Sequence, residues 1–370
     1  MGARAREDRV RRAEADVRAQ IADLTIYGAG MAGLVAAARA RELGAEPIVL
    51  EKGDRPGGSM LLSSGVIWRY RTLEDFQAEC PGGDPDLQAA IVERLDEALE
   101  WLESLGARVT ERETGNPRTV GMRFDTRQMT ETLAEKTNSV QLGHALGPGP
   151  GTGLEGPVVL ATGGFPMRLA RERGLLLRAN RWSSGDGLDF ALAHGAATAG
   201  DLHEFYGRAM PAPPAQINEQ DFVRLAQLYG RFAEVVAETG GERFEGEPSW
   251  SETDLVQVIA RWPGGRAWYR VHEGRLGERV RERTVGEMID AARAAGAVVR
   301  EEPPFTSVLV QASVTQTLGG LRADERARVV GVEGLYAAGA DVGGISTGGY
   351  SSGLAAALVF GRIAAEQALS

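Results

Sequence analysis

The 370-residue chain contains a single cysteine, Cys80. No intramolecular disulfide can form, and no cysteine-based metal site is available. Histidine is almost as scarce. His144, His194, His203 and His272 are the only four, and no two stand at metal-ligand spacing, so no metal is expected. A reducing, cytoplasmic compartment fits this composition. Long apolar runs are also missing: none approaches the roughly 18 residues of a membrane span. The Arg-rich first 20 residues mix in Glu and Asp and lead into no apolar stretch, so they do not read as a secretory signal. Positive excess is absent as well. Lys and Arg number 41 against 51 Asp and Glu, a net charge of −10, which argues against nonspecific nucleic-acid binding. A small-molecule substrate remains open.

What the chain does have is glycine, 49 residues of it, with no collagen-like period and no Gly/Ser linker. Such glycines serve local backbone needs. Residues 1–23 read as a charged leader helix without a strong apolar stripe. Leu24–Tyr27 is a short buried-strand pattern, followed by Gly28–Gly33, a helix over Leu34–Leu43 and a second strand, Pro47–Leu50, closing at Glu51: one β-α-β unit. Leu87, Ile91, Leu95, Leu99 and Leu102 mark an amphipathic packing helix over 86–105. Residues 137–157 read as a loop. A strand over Val158–Ala161 runs into Thr162-Gly163-Gly164. The texture changes over 211–306, which is proline-rich at its start and holds three of the tryptophans. We take 211–306 as an inserted domain dividing a first domain into 24–210 and 307–370.

Gly28-Ala29-Gly30-Met31-Ala32-Gly33 lies between a strand and a helix. A pyrophosphate belongs at such a helix N-terminus, where free N–H groups and the dipole favour negative charge. Gly28 permits the tight turn, Gly30 lets the phosphates approach, and Gly33 lets the helix pack on the strand. Met31 and Ala32 open the helix. Glu51 would accept hydrogen bonds from a ribose, with Lys52 beside it. Together these point to a dinucleotide but do not separate FAD from NAD. Gly57-Gly58-Ser59 and Ser63-Ser64-Gly65 follow directly; such a stretch lets backbone pass close to the pyrophosphate and the flavin edge. Near the C-terminus, the strand 335–338 ends at Gly339, and Asp341 could hold a ribityl hydroxyl. Gly353, Leu354 and Ala355 begin an apolar helix that would aim its N–H groups at the pyrimidine end of a flavin. A second phosphate-style glycine turn of this kind is what an NAD enzyme does not need, so the cofactor is expected to be FAD.

These motifs, in this order, resemble the family of fumarate reductase and succinate dehydrogenase flavoproteins, which includes the 3-ketosteroid dehydrogenases. The matching pieces are Gly28–Gly33, Glu51, Gly57-Gly58-Ser59, Ala161-Thr162-Gly163-Gly164-Phe165, Ser184-Gly185-Asp186-Gly187, Gly241-Glu242-Arg243-Phe244, Thr317–Leu321 and Leu335–Asp341. The resemblance adds Ala161, Thr162, Gly163 and Asp186 to the cofactor-binding set. It implies an α/β fold, with a discontinuous Rossmann-type FAD-binding domain and an inserted α+β capping domain that handles substrate.

The sequence departs from the family in two places. The stretch between Arg127 and Val158 is shorter than the family's, which implies that a small strand-rich piece is missing. Where the resemblance would place a catalytic His and two Arg, this chain has Gln316, the segment Ser249-Trp250-Ser251-Glu252, and Thr347-Gly348-Gly349. A dicarboxylate needs bidentate Arg clamps, so fumarate and succinate are not expected as substrates. No His occupies the position the family uses for covalent flavin attachment, so FAD is expected to be noncovalent. The remaining candidates for catalysis are Tyr350, assisted by Ser352, together with Tyr206, Arg208 and Gln316. A tuned phenol can move a proton next to a ketone, Arg208 could anchor a carbonyl or carboxylate, and Gln316 could donate a hydrogen bond to a carbonyl. The expected reaction is hydride transfer between the flavin and a substrate CH–CH bond next to a carbonyl. The alternatives are an ene-reductase or dehydrogenase of a carboxylate and a flavin-binding relative without catalysis. The partner that exchanges electrons with the flavin is not identified by any motif.

Overall fold

A computed structural model describes residues 22–137, 140–147, 154 and 156–370. The leader helix expected near the N-terminus falls almost wholly outside the described residues. The chain forms two compact units. The first comprises the described residues of Met1–Phe165 with Trp182–Leu202 and Leu318–Ser370; the second comprises Pro166–Arg181 and His203–Thr317.

The first unit is built on a five-stranded parallel sheet. Across the sheet its strands run Leu335–Ala337, Val158–Leu160, Leu24–Tyr27, Pro47–Glu51 and Val140–Leu142. Leu24 pairs with Pro47 and Tyr27 with Leu50 on one side of the first strand, while Thr25 pairs with Val158 on the other. The chain thus leaves the first strand in one direction and later returns on its opposite flank. That reversal opens a crevice at the carboxyl ends of the strands, the place where such sheets bind ligands. The sheet is covered by helices, which is why its strands read as continuous apolar runs rather than alternating ones. Leu24 and Ile26 are fully buried, each worth about 1.5–3 kcal/mol relative to exposure.

Two helices pack on this sheet, Met31–Glu42 and Gly353–Ala368. Small residues let them approach closely. A Cβ on Gly361 would stand 2.7 Å from the Ala32 carbonyl oxygen, and one on Gly339 would stand 3.1 Å from Ala32 Cβ and 3.5 Å from Ala357 Cβ. Further along, Arg39 pairs with Glu366 at 2.9 Å. The contacts advance in step along both helices, so the helices run parallel. Both N-termini therefore face the crevice. The amphipathic helix is Pro85–Ser104, capped by the Asp84 carboxylate, which accepts from the N–H groups of Asp86 and Leu87. Its leucines face inward.

The loop expected over 137–157 differs in part: Val140–Leu142 is the edge strand, in register with Val49–Glu51. Three residues, at a sheet edge and not buried, leave no apolar signal to read. The strands Val66–Tyr70, Thr119–Phe124 and Val109–Glu111 form a separate antiparallel sheet in the same unit.

The second unit is a six-stranded sheet around the 13-residue strand Phe305–Thr317. That strand pairs antiparallel with Phe205–Pro211, Arg266–His272 and Val299–Glu302, and parallel with Leu176–Leu177. Glu234–Ala237 extends the sheet beyond Arg266–His272. The unit therefore runs wider than the 211–306 expected from texture. The reason is the long strand: Phe205–Pro211 is locked along it from Phe205 onward, and composition does not change where a strand pairing begins. Trp268 is core here, packed with Ala212 and Leu309. The helix Val285–Ala294 starts with a reciprocal cap between Thr284 and Glu287.

Candidate functional site

The three glycines of the first turn carry three distinct constraints. Gly28 has φ +104°, and a Cβ there would meet the Ala161 carbonyl oxygen at 2.2 Å. Gly33 would meet the Gly28 carbonyl oxygen at 1.8 Å and Ile26 Cγ2 at 3.2 Å, so it is what lets the helix sit on the strand. Gly30 is the opposite case. It caps the helix Met31–Glu42 with φ −77°, no side chain caps that helix, and a Cβ on it would meet nothing within 4 Å. The turn thus presents open space directly in front of uncapped helix N–H groups, including those of Met31 and Ala32. Open space in front of free helix N–H groups is what a pyrophosphate needs.

Around it stand the other segments. Glu51 is buried at the end of its strand; Oε2 accepts from the Ala29 N–H at 2.7 Å and Oε1 from the Gly53 N–H at 2.6 Å. It thereby braces the glycine turn, and its remaining lone pairs suit ribose hydroxyls. Gly57, at φ +110°, donates its N–H to the Ala29 carbonyl at 2.7 Å, which brings Gly58 and Ser59 against the same turn. Lys52 is tied elsewhere: its Nζ lies 2.8 Å from Asp186 Oδ2 and donates to Ser184 Oγ at 2.6 Å, and Ser184 donates to Asp186 Oδ1 at 2.6 Å. Lys52 and Asp186 therefore form one polar cluster. Ser63 donates to the Met60 carbonyl and accepts from the Gly65 N–H. Gly65 is pressed on the Phe124 backbone, so its glycine identity is explained by that sheet contact. Ser64 is exposed.

Asp341 differs from the expectation. It is 2% exposed, and its carboxylate accepts from the Thr162 N–H and hydroxyl, from the Gly163 N–H at 3.1 Å and from the Gly164 N–H at 3.4 Å. Burial pushes its carboxyl up from the ordinary range while these donors pull it back. Instead of standing ready for a ribityl hydroxyl, Asp341 clasps the turn after Ala161 to the end of the neighbouring strand beside Gly339.

The helix Gly353–Ala368 begins at Ser352, whose Oγ accepts from the Ala355 N–H at 3.3 Å. Ser352, expected to assist catalysis, is thus the cap of this helix; Gly353 and Leu354 form its first turn. Tyr350 stands two residues before that cap. Its ring meets Trp68 edge-on at 5.3 Å between centroids, and its carbonyl accepts from the Tyr70 hydroxyl at 2.6 Å. Gly349 is pinned below it, since a Cβ there would meet the Glu79 carbonyl oxygen at 1.9 Å. Trp68 and Tyr70 were not singled out by sequence reasoning, because they sit in an ordinary strand pattern some 280 residues away.

The remaining candidates lie in the second unit. Tyr206 pairs in register with Gln316, and a bulge follows between Tyr206 and Gly207. The Arg208 guanidinium lies 4.8 Å from the centre of the Tyr206 ring, is buried, and donates to the Ser251 carbonyl. Glu252 was read only as part of a segment lacking an arginine. It is buried at φ 54°, its Oε1 accepts from the Gly230 N–H at 2.9 Å, and among the described residues its Oε2 has no hydrogen-bond partner. Burial pushes its carboxyl up to about 7 against the pull of Arg208. No sequence signal marks it.

Comparison with known proteins adds three findings. A family model described as FAD binding domain matches residues 23–150 and 154–354. A probable fumarate reductase of Shewanella frigidimarina is 23% identical, over 98% of this chain and 77% of that protein. Among solved structures, the open conformation of a flavocytochrome c3 fumarate reductase superposes with a TM-score of 0.70 at 22% identity, covering 94% of this chain and 79% of the other. The 3-ketosteroid-Δ4-(5α)-dehydrogenase of Rhodococcus jostii, in complex with 4-androstene-3,17-dione, gives 0.69 at 18% identity, covering 94% and 97%.

Proposed function

The chain belongs to the FAD binding domain family, and from that premise we propose that it oxidises or reduces a CH–CH bond next to a carbonyl in an apolar ketone. FAD is its cofactor and oxidoreduction its class. Residues of the first unit fit that group: the open cradle at Gly30, the uncapped N–H groups of Met31 and Ala32, Glu51 for a ribose, and the start of the helix at Gly353 for the flavin ring. Bound FAD accepts or supplies the hydride. We read the attachment as noncovalent.

The choice of an apolar ketone over a carboxylate rests on Arg208. A carboxylate substrate needs a guanidinium that presents its fork outward. Arg208 is 6% exposed, donates to a backbone carbonyl and stacks on Tyr206 within its own unit. It compensates the buried Glu252 carboxyl. Removing it to serve a substrate would leave a buried charge alone, which is costly. The 3-ketosteroid-Δ4-(5α)-dehydrogenase structure is in complex with 4-androstene-3,17-dione, a ligand of the class proposed here.

In this reading Tyr350 moves the proton at the carbon next to the carbonyl. Its backbone and ring are both held, so the phenol is presented in one place without reorganisation. Tyr206 is the second candidate for the proton. Gln316 is the candidate to polarise the carbonyl, and the second unit is the substrate-recognition domain. A cytoplasmic location completes the reading.

The test is anaerobic. Dithionite-reduced protein is mixed with 2-cyclohexenone and, separately, with fumarate, and flavin absorbance is followed. Reoxidation by the enone with none by fumarate is the expected result. Rapid reoxidation by fumarate would replace the ketone reading with the carboxylate one, and no response to either would favour a relative without catalysis.

A further inference from the structure

The strand Val66–Tyr70 belongs to the small antiparallel sheet, separate from the five-stranded parallel one. Its end carries an aromatic cluster. Tyr70 is 1% exposed, meets Trp68 edge-on at 5.3 Å and lies 5.1 Å from Phe76. A buried phenol must place its hydroxyl on a partner. Tyr70 places it on the backbone carbonyl of Tyr350, at 2.6 Å. Burial pushes the Tyr70 phenol well up, so it remains a donor throughout the working pH range.

That hydrogen bond falls at a point of leverage. The Tyr350 carbonyl is two residues ahead of the helix cap at Ser352, and Gly349 on its other side is pressed so close to Glu79 and Cys80 that a Cβ there would stand 1.9 Å from the Glu79 carbonyl oxygen and 2.9 Å from Cys80 Sγ. The Tyr350 ring then stacks edge-on against Trp68, Tyr70's neighbour on the same strand. One strand end therefore holds both the main chain and the ring of Tyr350. For a residue whose packing alone mattered, the ring contact would suffice and a phenylalanine at position 70 would serve. The hydroxyl adds a directional anchor on the main chain of the reacting residue.

We infer that Tyr70 is a positioning residue, acting through its hydroxyl on the Tyr350 carbonyl to set where the Tyr350 phenol stands. This rests on the reading of Tyr350 as the proton-transfer group. Without the hydroxyl, the part-buried Tyr350 carbonyl loses this hydrogen bond and the turn relaxes. A displacement on the order of 1 Å at a reacting group lowers a rate by about 10- to 100-fold.

The experiment compares Tyr70→Phe, Tyr350→Phe and the double variant, each with FAD bound. Reoxidation of the reduced flavin by 2-cyclohexenone is followed across pH, and tyrosinate absorbance is titrated on the same proteins. The wild-type minus Tyr350→Phe difference reports the Tyr350 phenol. Expected are an unchanged FAD content in Tyr70→Phe, a rate lower by about 10- to 100-fold with little change in KM, and a Tyr350 titration displaced by about one pH unit, the ordinary environmental spread for tyrosine. In the Tyr350→Phe background the Tyr70 substitution is expected to have no further effect, since it acts through that residue. An equal slowing in both backgrounds overturns the inference, as does an unmoved Tyr350 titration. A slowing by Tyr350→Phe with none by Tyr70→Phe overturns it while leaving the reading of Tyr350 standing. If Tyr350→Phe itself has no effect, the reading falls and the inference with it.

Discussion

Glu252 shows how much one residue can concentrate. It is a non-glycine residue at φ 54°, 4% exposed, with its Oε2 lacking a partner among the described residues. Such strain persists only where surrounding structure over-determines it. Its neighbours are Arg208, Arg231 and the buried phenols Tyr229 and Tyr269, whose rings meet at 5.5 Å. With a folded pKa of about 7 against an ordinary 4.5, the folded state binds the proton more tightly than the unfolded state. Its contribution to stability is therefore full below the unfolded value and is lost as pH rises through about 7. The shift corresponds to roughly 3 kcal/mol across that window at one pKa unit per 1.36 kcal/mol. In Glu252→Gln this slope is expected to vanish. Relative to the variant, the wild-type unfolding midpoint is expected to fall as pH rises through about 7, and parallel curves would show that Glu252 does not titrate there. Tyr350→Phe is the second prediction at this scale. It removes one hydroxyl, so the flavin spectrum is expected to stay intact while the rate falls by roughly 10²–10⁴-fold, the span of a lost general acid or base. Stopped-flow traces of both proteins decide it, and an unchanged rate moves the role to Tyr206.

At the scale of the element, the first turn and its helix separate fold from binding. Gly28 and Gly33 are packed against backbone, whereas Gly30 faces open space with ordinary dihedrals. Gly30→Val is therefore expected to fold with a normal far-ultraviolet spectrum and to lose FAD, because the branched side chain fills the pyrophosphate's place. Normal flavin stoichiometry in that variant would remove the turn from the site. Gly33→Val is the contrast: its side chain would strike the Gly28 carbonyl, so folding itself is expected to fail. The C-terminal helix adds its own lesson. Its cap, Ser352, does the ordinary work of an N-cap hydroxyl. Two residues after Tyr350, Ser352 reads as chemistry in sequence; in the structure its hydroxyl also caps the helix.

Across the whole molecule, the residues proposed to hold the cofactor come from segments far apart in the chain. Gly28–Gly33, Gly57, Ala161–Gly163, Gly339 and Gly353–Ala355 all belong to the first unit. Assembly of the cradle therefore requires that unit to fold, and a ligand that binds only the folded state raises its stability by mass action. The purified protein is expected to be yellow, to release intact FAD on acid precipitation, and, once stripped, to regain unfolding temperature when FAD is added. Flavin that stays with the denatured chain would refute noncovalent attachment, and a stripped protein indifferent to FAD would refute the shared cradle. What the sequence determined unaided is whatever depends on neighbours along the chain: the strand–glycine–helix unit, Glu51 closing the next strand, and the inward leucines of the long helix. Each is a local pattern whose physics acts within a few residues. The tertiary structure alone decided the rest. Asp341 was legible as a carboxylate after a strand, but its partners lie 179 residues back at Thr162. Arg208 was legible as a cation, but its burial on the Ser251 carbonyl and over the Tyr206 ring was not. The edge strand Val140–Leu142 exists only because Val49–Glu51 offers it a ladder. Tyr350 acquires its anchor from Tyr70 across 280 residues. A hydrogen bond or a packed ring has no range along the chain, only in space, so no pattern of neighbours encodes which distant group will answer it.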